Sequence, residues 1–174
     1  MKEHVRIMLT EEEVNRRIEE VAQQINKDFD GKPLHLICIL KGGAMFMCEL
    51  AKRLTMPVSF DFMSVSSYGG GTVSSGVVRI MKDLDETLEG KHVLIVEDII
   101  DTGRTLALLK EQLLERVPKS LKICTAFDKP SRRVNDLKPD YNGIVVPDEF
   151  IVGYGLDLDG KYRDFDDIRI VRKE

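Results

Sequence analysis

The stretch richest in chemistry is Val93-Leu94-Ile95-Val96-Glu97-Asp98-Ile99-Ile100-Asp101-Thr102-Gly103-Arg104-Thr105. An aliphatic run leads into two adjacent carboxylates, Glu97 and Asp98, and two apolar residues separate these from Asp101. A hydroxyl, a glycine and a second hydroxyl follow, where a helix would begin. Backbone N–H groups of Thr102, Gly103 and Thr105, with both hydroxyls, can surround a phosphate at a helix end that favours anions. Gly103 leaves room for close approach. Glu97 and Asp98 can accept hydrogen bonds from sugar hydroxyls or hold Mg²⁺ through oxygen. A purely structural alternative, Asp101 or Thr102 capping the helix, accounts for one residue. It leaves unexplained two charges at the end of a strand that should be buried, where unpaired charge is costly.

The elements that must position these residues follow from periodicity. Thr10 with Glu13 forms a capping box, and Glu11 and Glu12 suit the positive end of a helix dipole. Val14, Ile18, Val21, Ile25 and Phe29 then share one helical face, and Gly31-Lys32-Pro33 ends the helix. Residues 34–40 are almost continuously apolar, as expected of a strand covered on both faces of a parallel sheet. Lys41-Gly42-Gly43 breaks that strand, and a second helix is expected over 44–54. Residues 58–65 alternate like a half-buried strand, with a partner returning over 77–81 after the loose glycine-rich stretch 66–76. Strands are expected over 92–96, 121–127 and 143–146, and a helix over 105–116 buries Leu106, Leu109 and Leu113. Residues 150–154 form a short apolar segment. Strands alternating with helices predict an α/β fold with a mainly parallel sheet, whose ligands gather at the carboxyl ends of the strands.

Composition narrows the classes. A net charge of −4 provides no global basic field for nucleic acid. No apolar run approaches the ~20 residues that span a bilayer, and Met1-Lys2-Glu3-His4 begins no signal peptide. Cys38, Cys48 and Cys124 form no metal-binding spacing and read as reduced, mostly buried thiols, which points to a soluble, cytoplasmic protein. His4, His35 and His92 take no catalytic role.

The run from Val96 to Leu106 resembles the phosphoribosyl-pyrophosphate signature of type I phosphoribosyltransferases, in the form found in the hypoxanthine-guanine enzymes. Acid pair, spacing and phosphate loop match together, and the resemblance extends over essentially the whole chain. It implies one domain over 1–174: a core of about 33–146, a small hood from about 1–10 and 147–174, and a flexible lid hairpin of about 66–76. It implies a reaction in which a purine ring nitrogen displaces pyrophosphate from C1 of the ribose, through a transition state carrying positive charge on the sugar. The products would be IMP or GMP and pyrophosphate, Mg²⁺ the cofactor, and a homodimer or homotetramer the assembly.

By the same resemblance, Asp101 is the catalytic group near purine N7, where a carboxylate can exchange a proton and stabilise adjacent positive charge. Glu97 and Asp98 contact the ribose hydroxyls and place Mg²⁺, while Asp101, Thr102, Gly103, Arg104 and Thr105 bind the 5′-phosphate. Lys41 and Gly42 match a pyrophosphate loop in which a cis peptide precedes the lysine, and Arg163 matches a further pyrophosphate contact. Lys129 would donate to the purine O6, with Arg133 supporting that region. Phe150 would stack on the base, Ile151 read its edge through the backbone, and Asp157 lie near the exocyclic edge and join a second Mg²⁺ site. Ser67 and Tyr68 fall in the lid, which would exclude water from the charged sugar.

Rival readings differ in what they require. A P-loop kinase lacks its Gly-x-x-x-x-Gly-Lys-Ser/Thr pattern. A Rossmann enzyme lacks its fingerprint, since Gly153-Tyr154-Gly155 comes late and has no third glycine. The segment 156–160 lacks the ligand series of an EF-hand. Two alternatives stay open from sequence: a nucleotide-sensing regulator that retains the fold, and a relative preferring xanthine or a pyrimidine.

Overall fold

Residues 34–40 were expected to be covered on both faces, and in the computed structural model, which describes residues 3–67 and 78–173, they are. They form β2 (Leu34–Ile39), buried along its whole length. It runs parallel between β3 (Val58–Ser67) and β5 (His92–Ile100). Beyond β5 lie β6 (Ser120–Asp128) and β7 (Tyr141–Val145), also parallel, while β4 (Val78–Lys82) returns antiparallel along β3. The order β4-β3-β2-β5-β6-β7 gives the mainly parallel sheet that the alternation of elements predicts.

Alternate residues of the central strands feed two separate cores. Leu36, Cys38, Leu94 and Val96 pack against α1 (Glu11–Asp28) and α2 (Ala44–Ala51). Ile37, Ile39, Val93 and Ile95 pack against α3 (Arg104–Leu114) through Leu106, Leu109 and Leu113. The capping box of α1 is complete: the Thr10 hydroxyl accepts from the Glu13 N–H at 3.2 Å, and the Glu13 carboxylate accepts from the Thr10 N–H at 2.7 Å. Helix α2 stops before 54. The Asn26 amide of α1 bonds the Arg53 carbonyl at 3.0 Å and the Thr55 N–H at 2.9 Å, holding that segment out of helix.

Two strands depart from expectation. In β3 the buried side carries Asp61, while Phe60 is 47% exposed, so the apolar set does not face inward as a unit. Asp61 is tolerated because its carboxylate accepts backbone N–H groups of Phe62, Asp85 and Glu86 at 2.8–3.2 Å, with the buried His35 ring 3.9 Å away. Strand β5 is longer than 92–96 and includes Glu97 and Asp98, because its ladder with β6 continues to Ile100–Asp128 after the pairing with β2 ends at Val96.

A second sheet, β1 (Glu3–Leu9), β9 (Ile168–Lys173) and β8 (Ile151–Val152), joins the two ends of the described chain in antiparallel pairings. Charged residues interrupt both β1 and β9, so neither shows the apolar run that marks the central strands. Among the described residues no helix is long and apolar enough to cross a membrane. Cys38 and Cys124 are buried, in keeping with the mostly buried reading, and burial pushes the Cys38 thiol up to about 12; Cys48 is exposed on α2.

Candidate active site

Strand β2 stops at Ile39 and β5 does not, so Glu97 and Asp98 run past the end of β2 beside the 40–43 loop while β5 stays paired to β6. That loop begins with a cis Leu40–Lys41 peptide and is pinned by the Leu40 N–H to the Met63 carbonyl at 2.8 Å and the Gly43 N–H to the Ile39 carbonyl at 3.0 Å. Gly42 has no room for a side chain, since the Asp98 carboxylate occupies the place of its Cβ. From the other side the backbone of Gly155, at φ +95°, closes directly on the Gly42 carbonyl. The Gly155 carbonyl accepts from Arg163 Nη1 at 2.6 Å, and Arg163 Nη2 pairs with Asp157 at 3.0 Å. Three distant segments thus meet at one glycine.

The acid pair is electrostatically tense. Burial, reinforced by the neighbouring Asp98 carboxylate, pushes Glu97 well above the usual carboxylate range. Burial also raises Asp98, although the contact with Glu97, the Ile99 N–H at 2.6 Å and the Arg163 charge work against it. Two carboxylates that resist joint ionisation make a site ready for a cation or for sugar hydroxyls. Among the described residues no group of three or more His, Cys, Asp or Glu side chains comes together as a metal cage, and Asp157 is engaged with Arg163. An ion held at Glu97 and Asp98 would need other oxygens to complete its shell.

The loop expected to bind the 5′-phosphate lies one step further along the chain. Gly103 is itself the N-cap of α3, in the left-handed conformation at φ +80°, and no side chain caps the helix end. The capping explanation for Asp101 or Thr102 therefore fails; Thr102 Oγ1 makes only a 3.4 Å contact with the Arg104 N–H. Glu97, Ile99, Asp101, Thr102, Gly103 and Thr105 line a pocket of about 190 Å³. The Arg104 side chain is exposed and does not line it, leaving its backbone as the part that faces the loop. Asp101 pairs with Arg132 Nε at 2.7 Å, both side chains about half exposed.

Lys129 stands across from this loop. Its N–H donates to the Ile100 carbonyl at 2.9 Å, and its buried ammonium donates to the Glu149 carbonyl at 2.7 Å, immediately before Phe150. Asp128 anchors the turn that follows by a buried ion pair with Arg133, and also accepts from Asn142 Nδ2 at 3.1 Å. Phe150 is fixed at its backbone, where the Val171 N–H meets its carbonyl at 2.9 Å, yet its side chain is 51% exposed. Ile151 is buried in β8 opposite Ile170.

The structure therefore joins Gly42, Glu97, Asp98, Asp157 and Arg163 through one set of contacts; Asp101, Thr102, Gly103 and Thr105 share one pocket, and Lys129 reaches this stretch at Ile100. Lys41 is exposed on the rim of the first. Ser67 lies at the end of β3, with its backbone paired to Val78; Tyr68 and the glycine-rich lid lie outside the described residues. Two residues escaped the sequence reading. Arg132 sits in the quoted Asp128–Arg133 run, where a cation after a strand end was its only signal. Gly155 had the signal of a glycine just before Asp157.

Residues 5–159 match the phosphoribosyl transferase domain family. The chain is 48% identical over 173 residues to the hypoxanthine-guanine phosphoribosyltransferase of Streptococcus thermophilus strain CNRZ 1066, covering 99% of this chain and 96% of that one. It is 49% identical to the enzyme of the same name from Staphylococcus aureus strain Mu50, over 97% and 94% of the two chains. A crystal structure of a hypoxanthine-guanine phosphoribosyltransferase from Bacillus anthracis, with HEPES in its active site, superposes with a TM-score of 0.92 at 44% identity, covering 96% of this chain and 98% of the other.

Proposed function

The chain belongs to the phosphoribosyl transferase domain family, and from that premise we propose that it serves purine salvage, moving the 5-phosphoribosyl group from phosphoribosyl pyrophosphate to hypoxanthine or guanine and releasing IMP or GMP with pyrophosphate. The observation that carries this reading is the Glu97–Asp98 pair, set between the Gly42 loop and the phosphate loop. A sugar seated against those carboxylates would have its pyrophosphate toward Lys41, Gly42 and Arg163, and its 5′-phosphate toward residues 101–105.

In the reaction the bond from ribose C1 to pyrophosphate breaks, the bond from C1 to a purine nitrogen forms, and the purine loses a proton. Asp101 is assigned the proton at N7, and its negative charge also favours the cationic sugar. Its contact with Arg132 is a half-exposed ion pair, a type that contributes little, so substrate can displace it. The donor set suits Mg²⁺, which keeps water and substrate oxygens in its shell and needs only one or two carboxylates. When bound, that ion would offset pyrophosphate charge; Glu97 and Asp98 would hold it, and Asp157 a second one. Phe150 offers its exposed ring for stacking, beside the backbone of Ile151.

Base choice rests on Lys129. An ammonium can donate to a 6-oxo group and cannot accept from a 6-amino group. We read residues 1–174 as one domain, the small terminal sheet as the hood over the base and residues 66–76 as the lid, working in the cytoplasm as a homodimer or homotetramer. The deciding experiment is a Mg²⁺-dependent assay with phosphoribosyl pyrophosphate and guanine, hypoxanthine, xanthine and adenine side by side. Guanine and hypoxanthine are expected to react and adenine to give no AMP above background. Efficient AMP formation would overturn the 6-oxopurine assignment.

A further inference from the structure

Asn135 takes no part in the chemistry described so far, yet both ends of its amide are committed. Its Nδ2 donates to the Gly103 carbonyl at 3.1 Å, and its Oδ1 accepts from the Leu137 N–H at 3.1 Å. One residue earlier, the Val134 N–H donates to the Thr102 carbonyl at 3.1 Å. The packing is equally direct. A Cβ at Gly103 would lie 2.8 Å from Cδ of Arg133 and 2.9 Å from Oδ1 of Asn135. Two consecutive carbonyls of the phosphate loop are thus held by one short segment.

The consequence follows from peptide geometry. In a trans peptide the C=O and N–H point in opposite directions. Turning the Thr102 and Gly103 carbonyls onto residues 134–135 turns the N–H groups of Gly103 and Arg104 away from that segment. The Arg104 N–H has only its long contact with Thr102 Oγ1. The Gly103 carbonyl is also held by the Ala107 N–H at 3.0 Å in the first turn of α3, so the plane left to this segment is Thr102–Gly103. Without the Val134 tie it could rotate and present a carbonyl oxygen, which repels a phosphate, where the Gly103 N–H would attract it.

We propose that Asn135 is a positioning residue for the 5′-phosphate subsite: by docking its segment on the Gly103 carbonyl it keeps the Val134 N–H on Thr102, and so holds the Thr102–Gly103 peptide plane with its donor toward the anion. The segment bearing it also carries Arg133, locked to Asp128 beside Lys129, so the phosphate loop and the purine wall share one support. This inference rests on the phosphoribosyltransferase reading above.

Asn135→Asp is the informative variant, because it keeps the acceptor for the Leu137 N–H and replaces the donor toward Gly103 with an oxygen. Asn135→Ala removes both. The measurements are KM for phosphoribosyl pyrophosphate and for guanine, kcat, and calorimetric affinities for IMP and for inosine, which lacks the phosphate. Asn135→Asp is expected to raise the phosphoribosyl pyrophosphate KM and weaken IMP by about five- to tenfold, the scale of one hydrogen bond. Inosine affinity, guanine KM and kcat should stay within about twofold, and Asn135→Gln should recover part of the loss. The proposal falls if Asn135→Asp binds IMP like the parent, or if inosine weakens as much as IMP. It also falls if both variants melt below the assay temperature, since Asn135 would then hold up the whole fold. If the parent protein makes no nucleotide and binds IMP no better than inosine, the functional reading fails and takes this inference with it.

Discussion

Asp101 reaches the cleft half exposed, at the end of a strand whose pairing stops one residue earlier, and held by a guanidinium that solvent also reaches. Such a carboxylate is positioned by the backbone, and the Arg132 pair adds little to stability. Replacing it with Asn preserves shape and removes the proton acceptor. Asp101→Asn should therefore keep the fold and phosphoribosyl pyrophosphate binding within about twofold while nucleotide formation slows by about 10²–10⁴-fold. Single-turnover kinetics beside a direct binding measurement would check this, and near-normal turnover would remove Asp101 from its role. Asp101, Glu97 and Asp98 were legible in sequence because charge after an aliphatic run has few structural uses. Arg132 and Gly155 were not, since their meaning lies in contacts with residues far away in the chain.

Elements matter through the places where they stop. Strand β2 ends, the loop 40–43 fills the vacated lane, and β5 carries its acid pair into the space beside it. Gly155 closes the far wall at φ +95°, with no room for a Cβ against the Gly42 carbonyl. Gly155→Ala combines a left-handed backbone with a clash against main chain, so we expect a loss of about 1–3 kcal/mol in stability. Chemical denaturation would measure it, and the KM for pyrophosphate in the reverse reaction should rise alongside. Helix α1 and the buried strands were readable because caps and apolar periodicity are local signals. The length of β5 was not, because β6 pairs with it past the point where its own sequence turns charged. Strands β1 and β9 were equally silent, since charged residues interrupt the apolar ones in both and β9 is held by partners far away in the chain, β1 and β8.

Taken as a whole, the molecule buries the Glu97–Asp98 pair at a cost to its own stability. Burial and mutual repulsion raise the proton affinity of Glu97 above that of an unfolded chain. A raised folded-state pKa contributes stability that is complete below the unfolded value, about 4.5, and is lost as pH rises toward the folded value. Glu97→Gln removes that loss and keeps an oxygen for the Asp98 N–H, now 3.0 Å away. The ligand-free variant should melt a few degrees higher than the parent at pH 7.5, roughly 2–4 °C for each 1 kcal/mol gained, with the gap closing toward pH 4. Calorimetry across that range tests the sign, and activity should fall in the same variant. His35 works oppositely: burial lowers its pKa, so its contribution is present above about 6.5 and lost on acidification.

The contact between Gly42 and Gly155 also has a meaning in time. A ribosome delivers Gly42 well before Gly155, and the strand that braces the Gly155 segment, β9, later still. The central sheet can pair while the chain is still being made, but the wall that Gly155 forms against Gly42 lacks its brace until β9 has left the ribosome. A nascent chain that has not yet released β9 is therefore a scaffold without a finished cleft.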